Sequence, residues 1–343
     1  MHVLVTGGGG YIGLELCRQL LERGDRVRVV DRFFFGSQPL EELAQSFPGK
    51  LEIVRGDLRN WDPRWLSGIE GVSHLAGLSN DPTAEYNPEA NWQMNAVATE
   101  QLAAACKAAG VPRLIFGSSA SLYDGIGPGM FDEMTPVAPR GAYSLSKRWA
   151  EEALLAAADE DFSPTIMRQG TVYGYSPRMR FDLVVNTFLK DAIIHKKLFL
   201  HGGGWQWRPL ADVSDIARAH IIALDAPRAL VHGEIFNVMQ ENYQVRQLAM
   251  LVAGSLSLVG RVVELVEAPL PEFVRDYRMS NLKMTQRLGF TPAVTVLESI
   301  DLMLKRLPLE SVASLTDPRG YNVRWMSLIE EIHENQRSFV SVY

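Results

Sequence analysis

The run Val3-Leu4-Val5-Thr6, followed at once by Gly7-Gly8-Gly9-Gly10-Tyr11-Ile12-Gly13, constrains this chain more than any other stretch. A short, unbroken apolar segment reads as a strand buried on both faces of a parallel sheet. The glycines end it, and Leu14, Cys17, Leu20 and Leu21 then recur at the period of an amphipathic helix. Strand, glycine turn and helix in that order make a seat for a pyrophosphate. Backbone without side chains approaches closely, and free N–H groups with the helix dipole meet the negative charge. Gly8, Gly10 and Gly13 satisfy the spacing, as do the wider Gly7, Gly10 and Gly13, with Tyr11 and Ile12 opening the helix.

The next strand, Arg26 to Asp31, ends in a carboxylate where a dinucleotide fold needs an acceptor for the adenosine ribose hydroxyls. Asp31 repels a 2′-phosphate, so the reading favours NAD over NADP, and the neighbouring Arg32 weakens that exclusion. A third strand at 51–55 closes on Gly56-Asp57-Leu58, and a fourth begins at Gly71 and runs into His74-Leu75-Ala76-Gly77. Residues just past strand ends line the crevice of a doubly wound sheet, which makes Asp57, Leu58, Ala76 and Gly77 candidate cofactor walls. His74, inside an apolar strand, reads as a packed histidine. A helix is predicted from Asn87 to Gly110, bounded by Pro88 and Gly110, with Asn95 among its apolar residues. A fifth strand, Val111 to Phe116, empties into Gly117-Ser118-Ser119-Ala120-Ser121-Leu122-Tyr123. A helix from Gly141 to Ala158 and a sixth strand from Pro164 to Arg168 come after it. This alternation predicts an α/β fold with a doubly wound parallel sheet and a smaller mixed α/β C-terminal lobe.

Residues 171–210 read as loop-rich. Their glycines, aromatics and basic residues, among them Arg178, Arg180 and Arg208, suit an anionic, polar ligand. A strand at Ile235 to Met239, a helix to about Gly254, a strand near Val262 to Val266 and a helix from Asn281 to Leu288 come next. The expected division is a dinucleotide-binding domain over 1–172, to which elements of 212–240 return, a substrate lobe mainly over 173–307, and a C-terminal extension over 308–343. In that extension Trp325, Leu328, Ile329 and Ile332 form an apolar stripe suited to core packing.

With 343 residues, 47% of them hydrophobic, the chain has ample material for a full core. A net charge of -6 without a dense basic patch disfavours nucleic acid as a partner. No apolar segment reaches membrane-spanning length, and the first strand leaves no room for a cleavable signal. Cys17 and Cys106, both on apolar helix faces, fit a reduced, cytoplasmic setting, and neither they nor the histidines have the spacing of a metal site.

Tyr143 and Lys147 lie one turn apart on a single helix face. A tyrosine with a pKa of about 10 is too weakly acidic to serve as a base near neutrality, and a nearby ammonium lowers that value. Ser119, at the end of the fifth strand, is placed to hydrogen-bond the same substrate oxygen.

The ordered set of Gly7/Gly10/Gly13, Asp31, Gly56-Asp57-Leu58, His74 to Gly77, Asn95, Ser118 to Tyr123, Tyr143 with Lys147, and Tyr173-Gly174 resembles the extended short-chain dehydrogenase/reductase family, in its nucleotide-sugar epimerase/dehydratase branch. The resemblance covers roughly residues 1 to 305, because Leu288-Gly289-Phe290 and Pro292 before a helix match that branch's C-terminal lobe. It implies bound NAD, a nucleoside-diphosphate sugar, a catalytic triad of Ser119, Tyr143 and Lys147, and a homodimer paired through the helices at 88–110 and 141–158. It adds Asn95 to the cofactor set. At the substrate it places Ser119, Ser121, Tyr143, Thr171, Arg180, Asn186, Arg208 and Asp212, with Arg208 meeting a phosphate.

Departures from that pattern narrow the implied reaction. Dehydratases and decarboxylases of the branch carry an acidic residue within the segment matching Ser119 to Leu122, and a 3,5-epimerase carries a cysteine; here Ala120 and Ser121 stand there. Neither transfers a proton in that way. Oxidation at C4, rotation of the ketone and return of hydride to the other face remain, which is 4-epimerisation. The alternative is an NAD(P)H-dependent ketoreductase, dehydrogenase or dehydratase acting on a nucleotide sugar. An intact triad argues against a catalytically silent regulator. Asp124 in place of a glycine and Gln169 in place of a proline bear on the sugar pocket.

Overall fold

The computed structural model describes residues 1–270 and 274–340, with side chains placed through residue 332. Seven strands form one parallel sheet: β1 (His2–Thr6), β2 (Arg26–Asp31), β3 (Leu51–Arg55), β4 (Gly71–His74), β5 (Arg113–Ser119), β6 (Ser163–Gln169) and β7 (Glu234–Val238). Their order is β7-β6-β5-β4-β1-β2-β3. The chain therefore reverses direction across the sheet between β1 and β4, and a crevice opens there beyond the strand ends.

The helices that position the site are α1 (Tyr11–Glu22), α2 (Ala98–Ala108), α3 (Gly141–Ala157), α4 (Val184–His195), α5 (Val213–Asp225), α6 (Val245–Leu258) and α7 (Val296–Arg306). Side chains alternate across a strand, so β1 feeds a core on each face of the sheet. Val3 and Val5 join one with Leu14 and Leu20 of α1 and Ile216 of α5. Leu4 faces the opposite core, with Leu102 of α2 and Leu154 of α3. Both faces of the sheet are thus covered, as the doubly wound reading requires. A further core joins α4, α6 and α7 through Val185, Leu189, Leu248, Val252 and Ile300.

Three element expectations change. Residues 171–210, read as loop-rich, contain the strand Thr171–Tyr173, the helix α4 and the strands Lys197–His201 and Trp207–Asp212. The helix predicted across 87–110 is broken: Pro88–Trp92 is α-helical, Gln93–Val97 forms a π turn, and α2 resumes at Ala98. The strand expected near 262–266 runs from Glu264 to Ala268 and pairs in parallel with Lys197–His201.

The C-terminal stretch folds back on the loop after Tyr173. Leu315 and Met326 are buried, and the Phe181 amide donates to the Gly320 carbonyl at 2.8 Å. Trp325, Leu328 and Ile329 are half-buried, whereas Ile332 is exposed, so the expected apolar stripe packs along part of its length. Among the described residues no helix is long and apolar enough to cross a membrane, and Cys17 and Cys106 are buried free thiols.

Candidate active site

At the end of β1 the chain turns through Gly7, whose φ is 74°. A Cβ there would stand 2.6 Å from the Ala76 nitrogen, and one on Gly13 would stand 2.2 Å from the Gly7 carbonyl oxygen. These two glycines let strand, turn and helix close on one another. A Cβ on Gly10 would meet Gly7 oxygen alone, at 3.1 Å, so the third glycine opens onto the crevice. Two adjoining cavities of about 740 and about 760 Å³ share Gly7, Gly10 and Gly77. Asp31, Asp57, Leu58 and Ala76 line the first, and Tyr11, Ile12 and Gly13 the second. A glycine cradle at a helix N-terminus with a carboxylate at the adjoining strand end fits a dinucleotide.

Asp31 accepts hydrogen bonds from the Gly9 amide at 3.0 Å and the Phe33 amide at 2.7 Å. Burial raises its pKa and those two bonds oppose the rise. Arg32 lies 3.2 Å from Asp57 and 4.2 Å from the Phe34 ring centre, so its charge is already answered by a carboxylate. The Arg59 side chain, hydrogen-bonded to Asp57 at 2.7 Å, holds that carboxyl below its usual range while burial opposes.

Tyr11 and Asn95 act on the walls from behind. The Tyr11 hydroxyl donates to the Gly174 carbonyl at 2.6 Å and accepts from Asn186 at 3.1 Å, tying the glycine turn to the loop after Tyr173. Asn95 sits in the π turn and clasps Leu78, accepting from its amide and donating to its carbonyl, both at 2.8 Å. A Cβ on Gly77 would lie 2.4 Å from the Asn95 carbonyl oxygen, so the wall after β4 is moulded on this amide.

β5 ends at Ser119, whose hydroxyl accepts from the Ser121 amide at 3.1 Å and starts a tight helical turn. The first turns of α3 deliver Tyr143 and Lys147, both buried, and Ser119 lies close enough to act on the Tyr143 phenol. Lys147 donates to the Gly117 carbonyl at 2.8 Å and stands 4.6 Å from the Phe116 ring centre. Burial pushes its pKa down to about 8, against the pull of Glu151. The Tyr143 pKa lies above its ordinary value, and Lys147 is not among the leading influences on it. Burial raises it, Ser119, Arg275 and Arg180 oppose the rise, and Asp81 adds to it. An ammonium turned to a backbone carbonyl does not offset the loss of water around the phenol.

A buried polar layer supports this strand end. Ser118 donates to Glu151 at 2.6 Å, Glu151 pairs with Arg168 at 2.7 Å, and Arg168 donates to the Tyr123 hydroxyl at 3.0 Å. Gln169, the next residue along β6, points to the opposite face of the sheet, 2.8 Å from a His220 ring nitrogen whose counterpart is 2.8 Å from Ser73. His74 bonds Thr6 and Thr99 through its two ring nitrogens, and burial pushes both histidines down to about 3.

Three further arginines are held by protein partners. Arg180 pairs with Asp182 at 2.8 Å and donates to Ser79 at 2.9 Å, Arg208 donates to the Trp207 and Arg275 carbonyls, and Arg275 pairs with Asp81. Asp124 is buried 4.0 Å from Arg275. Sequence reasoning missed Asp81, Arg275 and the buried Tyr277 beside them; only the Asn80-Asp81-Pro82 helix start was a visible signal, and it announces a cap. Ser121 accepts from the Ser144 hydroxyl at 2.9 Å. Thr171 is half-buried and paired with Leu210. Asn186 spends its amide on Gly174, Tyr11 and the Arg180 carbonyl. Asp212 accepts from Ser214 and Ser299 as it caps α5, with burial raising it to about 6. Asn186 and Asp212 therefore brace the pocket through protein partners. Among the described residues no group of three histidine, cysteine or acidic side chains is placed to hold a metal.

Comparison with known proteins identifies the family. The model of the NAD dependent epimerase/dehydratase family matches residues 3–238. The UDP-glucose 4-epimerase of Corynebacterium glutamicum is 29% identical over 324 residues, covering 88% of this chain and 93% of that protein. The UDP-glucuronic acid decarboxylase 1 of Xenopus tropicalis is 25% identical over 306 residues, 88% of this chain and 70% of its own length. Among solved structures, MoeE5 in complex with UDP-glucose and NAD superposes with a TM-score of 0.75 at 27% identity, covering 89% of this chain and 98% of that one.

Proposed function

The chain belongs to the NAD-dependent epimerase/dehydratase family, and from that premise we propose that it is a nucleoside-diphosphate-sugar 4-epimerase working through a transient 4-keto sugar. Bound NAD supplies the hydride acceptor and donor. The residues around it do the rest. Tyr143, as phenolate, takes the proton of the C4 hydroxyl, Ser119 hydrogen-bonds the same oxygen, and Tyr143 returns the proton after the sugar has turned. Arg275 and Arg180, which pull the Tyr143 pKa down against burial, favour the charged phenol. Arg208, with Arg180 and Arg275, would meet the diphosphate.

The observation that carries this reading is Ser119 at the end of β5 with the buried Tyr143 and Lys147 on the first turns of α3, while the next residues, Ala120 and Ser121, bring no carboxylate to the sugar. The test is incubation with uridine-, guanosine-, cytidine- and thymidine-diphosphate sugars without added cofactor. A C4 epimer of unchanged mass is the expected product.

A second reading rests on Asp124. It is buried in the substrate region with its pKa raised, against the pull of Arg275, Arg208 and Arg140. A carboxylic acid held there suits the proton transfers of an elimination, and that reading requires a product lighter by one water. We also expect a homodimer, since α3 exposes Leu145 and Trp149 on the face where the resemblance pairs subunits. Buried, unpaired cysteines fit a reducing, cytoplasmic setting.

A further inference from the structure

Arg178 stands apart from the other buried arginines. Arg168 is paired with Glu151 and Arg180 with Asp182, each at hydrogen-bonding distance. Arg178 is 7% exposed and, among the described residues, has no carboxylate within ion-pair distance and no hydrogen-bond partner for its Nε. Its guanidinium is stacked 3.7 Å from the centre of the Phe35 ring, and one terminal nitrogen donates to the Asn322 carbonyl oxygen at 2.7 Å. Burial and the neighbouring Arg180 push its pKa down to about 9. A charge kept in that position costs free energy unless an anion comes to it.

The place where it is held suggests the anion. Arg178, Asn322 and Met326 share a cavity with Gly10, Tyr11, Ile12 and Gly13, whose backbone forms the N-terminus of α1. A dinucleotide places its pyrophosphate at such a terminus. The C-terminal stretch fixes the geometry in three ways. Asn322 orients Arg178 and donates to Ser79 at 3.0 Å, and Trp325 donates to the Phe34 carbonyl beside the stacking ring. The partner chosen is neutral. An amide aims the guanidinium by accepting one of its hydrogens and leaves the positive charge unspent, whereas a carboxylate in the same place would neutralise it.

We propose that Arg178 is a ligand of the cofactor pyrophosphate and that Asn322, supplied by the C-terminal extension, is the positioning residue that aims it while keeping its charge free. The extension is then part of the dinucleotide site, and the cofactor is locked in from the side opposite the glycine turn.

The discriminating variant is Asn322→Asp. Aspartate has nearly the same shape, accepts from Arg178 more strongly, and keeps a bond to Ser79, whose own hydroxyl hydrogen is free to turn toward it. A purely structural role therefore predicts retention of NAD equal to or better than that of the natural protein. The proposal predicts the reverse. Exchange of protein-bound NAD against isotopically labelled NAD should accelerate about tenfold or more, the loss expected when a charge-assisted contact to a phosphate is neutralised, with an unchanged or higher melting temperature for the cofactor-free protein. Exchange at the natural rate overturns it. Should Asn322→Asp fold poorly, Arg178→Met keeps an apolar chain against Phe35 without the charge and must show the same acceleration, with Arg178→Lys recovering part of the retention. Natural exchange rates in Arg178→Met also overturn the proposal.

Discussion

Burial holds the Tyr143 phenol above its ordinary value, and the charges that act on it come from segments far apart in the chain: Asp81 raises it, while Arg275 and Arg180 lower it. Replacing Tyr143 with Phe removes the proton carrier and leaves the glycine turn intact. We expect turnover to fall by about a hundredfold to ten-thousandfold, with bound NAD unchanged in extracts of the purified protein. The sign of the Asp81 effect gives a second expectation. Asp81→Asn deletes a negative charge and frees Arg275, so the rising limb of kcat/KM against pH should move to lower pH; a shift to higher pH contradicts the assignment of Tyr143 as base. His74 and His220 make the stability prediction. Their folded pKa values of about 3 lie below the unfolded value of 6.5, so the unfolded chain takes up protons first and stability falls as pH drops from 6.5 toward 3. His220→Gln should shallow that fall by the share of one proton in denaturant titrations from pH 4 to 6. Tyr143 and Lys147 were legible in the sequence because one helical turn separates them. Asp81 and Arg275, 194 residues apart, meet only in the folded chain.

At the scale of elements, the strand–glycine–helix unit was readable because every part of it is local: an apolar run, a turn that forbids side chains, and a 3.6-residue period. Gly13→Ala tests it. The added Cβ would fall 2.2 Å from a backbone oxygen that cannot yield without reopening the turn. We expect a loss of at least about 2 kcal/mol, as overpacking gives, together with loss of co-purifying NAD; a cofactor-bound protein of natural stability contradicts the turn's role. α4 was missed although Val185, Phe188, Leu189, Ala192 and Ile193 recur at helical spacing, because the arginine- and glycine-rich flanks on either side dominated the reading. The π turn at Gln93–Val97 carries no local signature. Within it Asn95 hydrogen-bonds Leu78 across the crevice wall. The resemblance links Gln169, in place of a proline, to the sugar pocket, yet side chains alternate along a strand, and its amide faces His220 beneath the sheet.

The whole molecule adds what neither residues nor elements supply: a surface, and a crevice wall that includes Asn322 and Met326. On α3, Leu145 is 50% and Trp149 45% exposed, and Trp149 leans on Trp92 with ring centres 5.5 Å apart. An apolar patch of that kind on a helix flanking the sheet suits a two-fold contact. Light scattering should give twice the chain mass for the natural protein and the single-chain mass for Trp149→Glu; a natural protein that runs as a single chain at micromolar concentration contradicts the expectation. The C-terminal stretch was read as core packing alone, because an apolar stripe says which face is buried and nothing about what it is buried against. Mass and configuration of the product together test 4-epimerisation with a retained cofactor. The purified protein is incubated with a panel of nucleoside-diphosphate sugars, no cofactor is added, and each product is analysed by mass spectrometry and by proton NMR at C4. A product of unchanged mass with inverted configuration at C4 is expected. A product lighter by water or carbon dioxide, or no conversion until NAD(P)H is supplied, contradicts 4-epimerisation.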